Sequence, residues 1–545
     1  MTVIVKRLAN KKTRRETGLD YVTTGLNLLT PFGSGLIKEQ KPFLPGQEEL
    51  LRAELSRIQE IKSIAEANER EIGILSEAFM MVKDNSLSIK RSGSSVLSVV
   101  EIFEIKSLLL LMVRIRDLGG KLKLPEEFIP DDITGLLDTL DPGGDRLNTF
   151  YIYDSFSEKL AELRGEKKNL EREVRREQKR KRDDIREKYG ITLTPKFDIT
   201  VSKSDSQSIK MIDEISDLSR SEEDYMSVTF TLTPTEAAAG LVRRMDELTA
   251  DIEEEELKVR ETLSEEIHSW AEVLNENCRR IGRLDIVLAK AMFAGRHNCV
   301  MPEIVTEHVV EFTDGRHLQV EEIISSTGGR YCPVSISLKD GVTCITGANM
   351  GGKTVSLKLT GMIAILAQYG YFVPARSAKV GLSNFMQILI GDSQSIERGL
   401  SSFGSEMEEL KEIMDNSKER SLLLIDEIAS GTNPVEGLAL TRSIVDYLKK
   451  QPYISLITTH FEAVTGDEEV VNMQVTGLAN ADFDRLNREI RYANRRERIE
   501  IIGRYMDYRL THVDSGREIP KDALNIAKML GISKDIIEKA KEYIE

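Results

Sequence analysis

A chain of 545 residues has room for roughly three to four domains of about 150 residues each, and an apolar fraction of 40% is enough to build real cores. That apolar content excludes a fibre or a disordered tail, and charged residues at 30% against aromatics at 6% favour long solvated helices over stacked sheets. A formal net charge of −15 excludes a surface that is positive all over, so any nucleic-acid contact must be local.

The four cysteines, Cys278, Cys299, Cys332 and Cys344, make no CxxC pair and carry no histidine at metal spacing, so neither a disulfide framework nor a zinc ribbon is expected. Met1 to Lys6 lacks the apolar core of a signal peptide, and no apolar run approaches the roughly 18 residues of a membrane span. The expectation is a reduced, cytoplasmic protein without membrane contact.

From about residue 20 to 118, apolar residues recur at three and four spacing, as in Leu50, Leu51, Leu55, Ile58 and Ile61, which predicts a helical layer over 1–150. Gly119-Gly120, Pro125, Pro130 and Pro142 to Gly144 are expected to break it. Over 151–283 the pattern predicts two long helical arms around a small β tip at about 190–234. Ser155 caps the outgoing helix, Gly190 stops it, and Thr235 caps the return. Ile191 to Thr194, Phe197 to Val201 and Met226 to Leu232 alternate like strands.

An α/β pattern of apolar β-branched runs, helices and glycine turns then predicts an α/β domain over 284–480. Residues 481–545 read as an arginine-rich stretch followed by two helices hinged at Gly531. Ser533 caps the second of them, which turns Ile536, Ile537 and Ala540 inward.

Two basic runs stand out, Arg175, Arg176, Lys179, Arg180, Lys181 and Arg182 in the outgoing arm, and Arg485 to Arg498 near the end. The residues alone favour solvated helix faces with i,i+4 pairs over a DNA contact.

The chemistry is denser elsewhere. Val342 to Thr346 is a buried strand running into Gly347 to Thr354, GANMGGKT, with an apolar helix behind it. In a strand, GxxxxGKT, helix arrangement the backbone around Gly347, Gly351 and Gly352 faces phosphates. Lys353 then reaches the outer phosphates, and the Thr354 hydroxyl can ligate Mg²⁺. Leu422 to Ile425 is a second buried strand ending in Asp426, suited to the metal shell, and Glu427, suited to polarise an attacking water. A third strand, Ile454 to Thr459, delivers His460 to a strand end.

At these residues the chain resembles the MutS family of ATPases. GANMGGKT at 347–354 is similar to the family's GPNMGGKS loop, and Phe372 to Ala375 to its VPA turn. Ser401 to Met407 resembles the STFxxEM signature, Ile425 to Glu427 with Gly431 to Gly437 the IDE and D-loop stretch, and Thr459-His460 the histidine switch. Gly391 to Ile396 and Asn433 to Glu436 lean to the mismatch-independent branch.

The resemblance implies a helical core or lever domain with coiled-coil arms and a clamp-like tip, an ABC-type P-loop domain, and a C-terminal helix-turn-helix that dimerises. It implies a homodimer in which ATP and Mg²⁺ sit between one subunit's loop, including Asn349, Met350 and Val355, and Ser401 supplied in trans, with His460 as sensor. No mismatch-recognition domain is expected. Two functions follow: arms that close on DNA, with Arg175 to Arg182 touching phosphates, or arms that grip a client protein, as in reactivases of cobalamin-dependent lysine aminomutases.

Overall fold

Uninterrupted runs such as Leu422 to Ile425 and Ile454 to Ile457 can only be strands covered on both faces, whereas the charge-rich stretches of the arms can only be solvated helices. The computed structural model shows both. It describes residues 8–234, 236–347, 352–391, 402–417, 419–461, 469–478, 481–491, 498, 501–502, 504–513 and 522–543. The chain divides into two compact units, Met81–Arg280 and Met1–Met80 with Ile281–Glu545. Among the described residues no helix is long and apolar enough to cross a membrane.

In the unit Met81–Arg280, the helix Val99–Leu122 opens on a capping box between Ser98 and Glu101 and buries Ile102, Ile105, Leu109, Met112 and Ile115. The expected break at Gly119-Gly120 does not occur. The helix runs through both glycines to Leu122 and ends at Lys123, its left-handed cap at φ 55°; Gly119 packs against Ile129, where a Cβ would stand 3.2 Å from Cγ1. Below it, the buried ammonium of Lys106 meets Asp141 at 2.9 Å and the Thr149 carbonyl at 2.9 Å.

The helices Glu158–Tyr189 and Glu236–Ser269 lie antiparallel, stitched by Arg164 to Glu256 at 2.6 Å, Lys167 to Thr249 at 2.9 Å and Arg244 to Glu166 at 3.1 Å. Ser157, not Ser155, caps the first, accepting the Leu160 N–H at 3.2 Å, and Gly190 ends it at φ 71°. Thr235 lies outside the described residues.

The tip is a three-stranded antiparallel sheet of β1 (Asp198–Ser202), β2 (Leu218–Glu223) and β3 (Ser227–Leu232), in the order β1-β3-β2. Ile191 to Thr194 is no strand. Its alternation arises because Ile191 and Leu193 both drop into the tip core with Ile212, Leu218, Val228 and Phe230, while the Thr194 N–H closes a turn onto the Asp198 carbonyl at 2.8 Å. The polar segment before β3 holds a short helix, Ser206–Asp213, and the edge strand β2, whose sequence LSRSEE hides it.

The other unit carries two sheets. β4 (Glu303–Val305), β5 (Val309–Gly315), β6 (Val334–Lys339) and β8 (Ser377–Gly381) form a four-stranded sheet in the order β4-β8-β5-β6. β7 (Gly341–Thr346), β9 (Phe385–Leu389), β10 (Ser421–Asp426), β11 (Tyr453–Thr458), β12 (Val471–Gly477) and β13 (Asp507–His512) form a six-stranded sheet in the order β13-β12-β7-β11-β10-β9. Neighbours run parallel except β12 and β13. Its core includes Val342, Cys344, Leu423, Ile425, Ile444 and Ile457.

The chain start reaches this sheet too, since the Thr13 hydroxyl accepts the N–H of Ile388 on edge strand β9 at 3.2 Å. A last cluster joins Leu478, Leu486, Ile490, Ile502, Met506, Ile526 and Met529. Ser533 caps the final helix Lys534–Glu542 as expected, but only Ile537 of the three expected inward residues is buried. Ile536 is 60% exposed, one residue off the buried stripe, and Ala540 is half-buried.

Candidate nucleotide site

Strands of a parallel sheet end together, and the residues that follow them meet at one edge. β7 delivers Gly347 with φ 125°, a conformation that favours glycine. The helix Gly352–Gln368 begins at Gly352, where a Cβ would come 2.8 Å from the Tyr508 ring. Of the expected loop residues, Asn349, Met350 and Gly351 lie outside the described residues, as do Ser401 and residues 392–396.

Lys353 is 3% exposed; its ammonium donates to the Gly347 carbonyl at 3.1 Å and pairs with Glu427 Oε1 at 2.9 Å. Thr354 Oγ1 donates to Asp426 Oδ2 at 2.8 Å. Four residues from two distant segments thus converge, in the pairs that the sequence assigns to phosphate and metal. Their hydroxyl and carboxylate oxygens are the hard donors that suit Mg²⁺, which keeps water and phosphate oxygens as its other ligands and needs no all-protein cage. Among the described residues there is no group of three or more His, Cys, Asp or Glu that could hold a metal.

β10 ends at Asp426, and the chain then turns sharply through Glu427 at φ 45° and Ala429 at φ 60°. The turn is held from outside: Ala429 N–H donates to Glu406 Oε2 at 3.2 Å. Glu406 belongs to the helix Ser402–Asn416, and burial pushes its carboxyl above the usual range. Asn433 caps the next helix, Pro434–Leu448, accepting the Val435 N–H at 2.9 Å. His460 follows β11 as expected. It is exposed, with its ring 4.4 Å from that of Phe461, which packs on the sheet core.

A cavity of about 180 Å³, which the sequence does not announce, opens beside the start of the helix Gly352–Gln368. Tyr331, Tyr508, Val320, Ile324, Val334 and Val355 line it. Burial pushes the Tyr331 hydroxyl up to about 12, and that oxygen accepts the His317 N–H at 3.0 Å. The sequence signal is thin, because Tyr331 precedes β6 and Tyr508 lies in β13, segments far apart in the chain that come to line one cavity.

The basic run of the outgoing arm splits in two. Lys181 is committed to the tip, pairing with Asp217 at 2.8 Å and donating to the Thr233 carbonyl at 2.8 Å. Arg182 pairs with Asp183 at 3.2 Å and stacks 6.0 Å from the Phe197 ring centre, while Arg180 pairs with Glu177 at 3.6 Å. Arg175, Arg176 and Lys179 are exposed and make no ion pair among the described residues. In the second run, Arg485 pairs with Glu489 at 3.3 Å, and residues 492–497 lie outside the described residues.

Residues 343–545 match the model of MutS domain V. The Endonuclease MutS2 of Clostridium tetani (strain Massachusetts / E88) is 33% identical over 316 residues, 56% of this chain and 36% of that protein. That of Clostridium botulinum (strain Langeland / NCTC 10281 / Type F) is 34% identical over 286 residues, 52% of this chain and 33% of its own. The match therefore spans about a third of the length of these relatives. The mixed helical and α/β architecture fits MutS domain V, and the domain match together with the MutS2 similarity supports a MutS-family ATPase.

Proposed function

We propose that the chain binds ATP and Mg²⁺ and hydrolyses the γ-phosphate at the edge of the six-stranded sheet. The convergence of Lys353 with Glu427 and of Thr354 with Asp426 carries the reading. Lys353 would hold the outer phosphates, and Glu427 would orient the attacking water and take its proton. Thr354 and Asp426 would hold Mg²⁺, which neutralises phosphate charge when bound. The base would lie in the cavity between Tyr331 and Tyr508, with Val355 below it, an apolar slot with two aromatic walls. His460 would sense the γ-phosphate from the end of β11.

The working unit would be a homodimer, with Ser401 of each subunit completing the other's site. Exposed Ile532, in the turn between the closing helices, and Ile536 on the last of them are the apolar surface such an assembly needs. ATP turnover would open and close the arms around DNA without mismatch recognition. The relatives' name, Endonuclease MutS2, speaks for nucleic acid over a client protein. The tip itself is poor phosphate-binding surface, with eight carboxylates against four basic side chains between Lys196 and Pro234. Contacts would therefore fall on the shaft, at Arg175, Arg176 and Lys179.

The test is ATP turnover by the purified chain with Mg²⁺, with and without duplex or branched DNA. Turnover that needs Mg²⁺ and is lost in Glu427→Gln supports the reading; an inactive chain that also fails to bind ATP overturns it.

A further inference from the structure

Thr458 ends β11 and is fully buried, at 0% exposure. In the parallel pairing of β10 with β11 it stands opposite Asp426. Its hydroxyl donates to Asp426 Oδ1 and accepts the Glu427 N–H at 3.1 Å. The Thr458 carbonyl shares that same N–H at 3.1 Å.

Two consequences follow. Asp426 is bonded on both carboxylate oxygens, Oδ1 by Thr458 and Oδ2 by Thr354 at 2.8 Å, so its plane is fixed between the neighbouring strand and the helix Gly352–Gln368. Glu427 sits in the left-handed region at φ 45°, costly for a residue with a side chain, and the doubly accepted N–H is what holds it there. One hydroxyl thus orients both the carboxylate suited to the metal and the one suited to water. It touches neither reactant itself.

We propose that Thr458 is a positioning residue for the hydrolytic step, setting the Asp426 carboxylate for Mg²⁺ and the Glu427 backbone for attack. The proposal rests on the ATPase reading above. Outer groups of this kind change metal affinity or activity by about 10- to 100-fold when removed, and misplacing a reacting group by an ångström costs a similar factor.

The experiment compares Thr458→Val, which keeps the branched shape and removes the hydroxyl, with Thr458→Ser, which keeps the hydroxyl and removes a methyl. For Thr458→Val, kcat should fall about 10- to 100-fold while KM for ATP moves little, and the Mg²⁺ concentration for half-maximal rate should rise by about tenfold. Thr458→Ser should recover most of the lost rate. Thermal melting and binding of a fluorescent ATP analogue verify that both variants fold.

Wild-type kcat and Mg²⁺ dependence in Thr458→Val would overturn the proposal. So would a serine variant as slow as the valine one, since packing rather than the hydroxyl would then matter. If the wild type binds no ATP and turns none over, the ATPase reading itself falls. If the wild type is active, Glu427→Gln is not, and Thr458→Val matches the wild type, only the role of Thr458 falls.

Discussion

Lys353 and Glu427 are ion-paired at 2.9 Å, so the cation suited to outer phosphates and the carboxylate suited to water hold each other. On the proposed reading, a γ-phosphate at Lys353 would compete with that carboxylate, and its binding would free Glu427 for the water. Substrate binding and base availability would thereby be linked through one ion pair.

From this pair, Glu427→Gln should bind ATP at least as tightly as the wild type, because Lys353 loses a charged competitor, yet turn it over about 100-fold or more slowly. Lys353→Ala should weaken binding instead. Nucleotide titration and single-turnover assays separate the two effects. Weaker ATP binding by the glutamine variant would show that the pair supports the site rather than competing with substrate.

The proposed sharing of sites across a dimer makes a second expectation. Mixing Lys353→Ala chains with Ser401→Ala chains puts both lesions into one composite site of the heterodimer and leaves the other intact. After subunit exchange at equal amounts, about a quarter of wild-type turnover should return, as expected for a twofold assembly with independent sites. A mixture no more active than its parts, with exchange verified by tagged subunits, would argue for sites complete within one chain.

The legible parts were those where chemistry and secondary structure coincide in one short segment. Gly347 to Thr354 and Leu422 to Glu427 each pair an apolar strand with the residues it delivers, and the structure brings Lys353, Thr354, Asp426 and Glu427 together. What escaped depends on long-range pairing. Thr458 reads as one more β-branched residue until the register sets it opposite Asp426, and Tyr331 and Tyr508 come to line one cavity from segments far apart in the chain. Local pattern also misleads where tertiary packing overrides propensity. Gly119 stays helical inside Val99–Leu122, where close packing against Ile129 leaves no room for a side chain, and β2 escaped because an exposed edge strand carries almost no apolar signal.

The split of the arm's basic run predicts different outcomes for its two halves. Reversing Arg175, Arg176 and Lys179 should leave the fold unchanged. It should lower the slope of log DNA affinity against log salt by about 3 per arm, near one unit for each phosphate that is no longer neutralised. Reversing Lys181 and Arg182 should instead loosen the tip, because Lys181 would meet Asp217 as a like charge. Proteolysis around β1 to β3 would reveal that loosening. A salt slope unchanged by the first set of reversals would remove DNA from this face of the arm.

His317 makes a prediction about acid. Its ring is 2% exposed, and neither nitrogen has a hydrogen-bond partner among the described residues. Burial, with the Lys358 ammonium as a second cause, lowers its pKa to about 4 from the ordinary 6.5. Between those values the unfolded chain binds the proton and the folded chain does not, so stability rises with pH across that window. The contribution is complete above about pH 6.5 and is lost as pH falls toward 4. Its size is up to about 3 kcal/mol at the linkage rate of about 1.4 kcal/mol per pKa unit. His317→Leu removes the titrating group while keeping an apolar side chain beside Gly18 and Met362. The variant should therefore lose less stability than the wild type between pH 6.5 and pH 4.5, read by denaturant unfolding at each pH. Parallel losses in both proteins would mean that other groups set the acid limit and that His317 takes up its proton without unfolding the site.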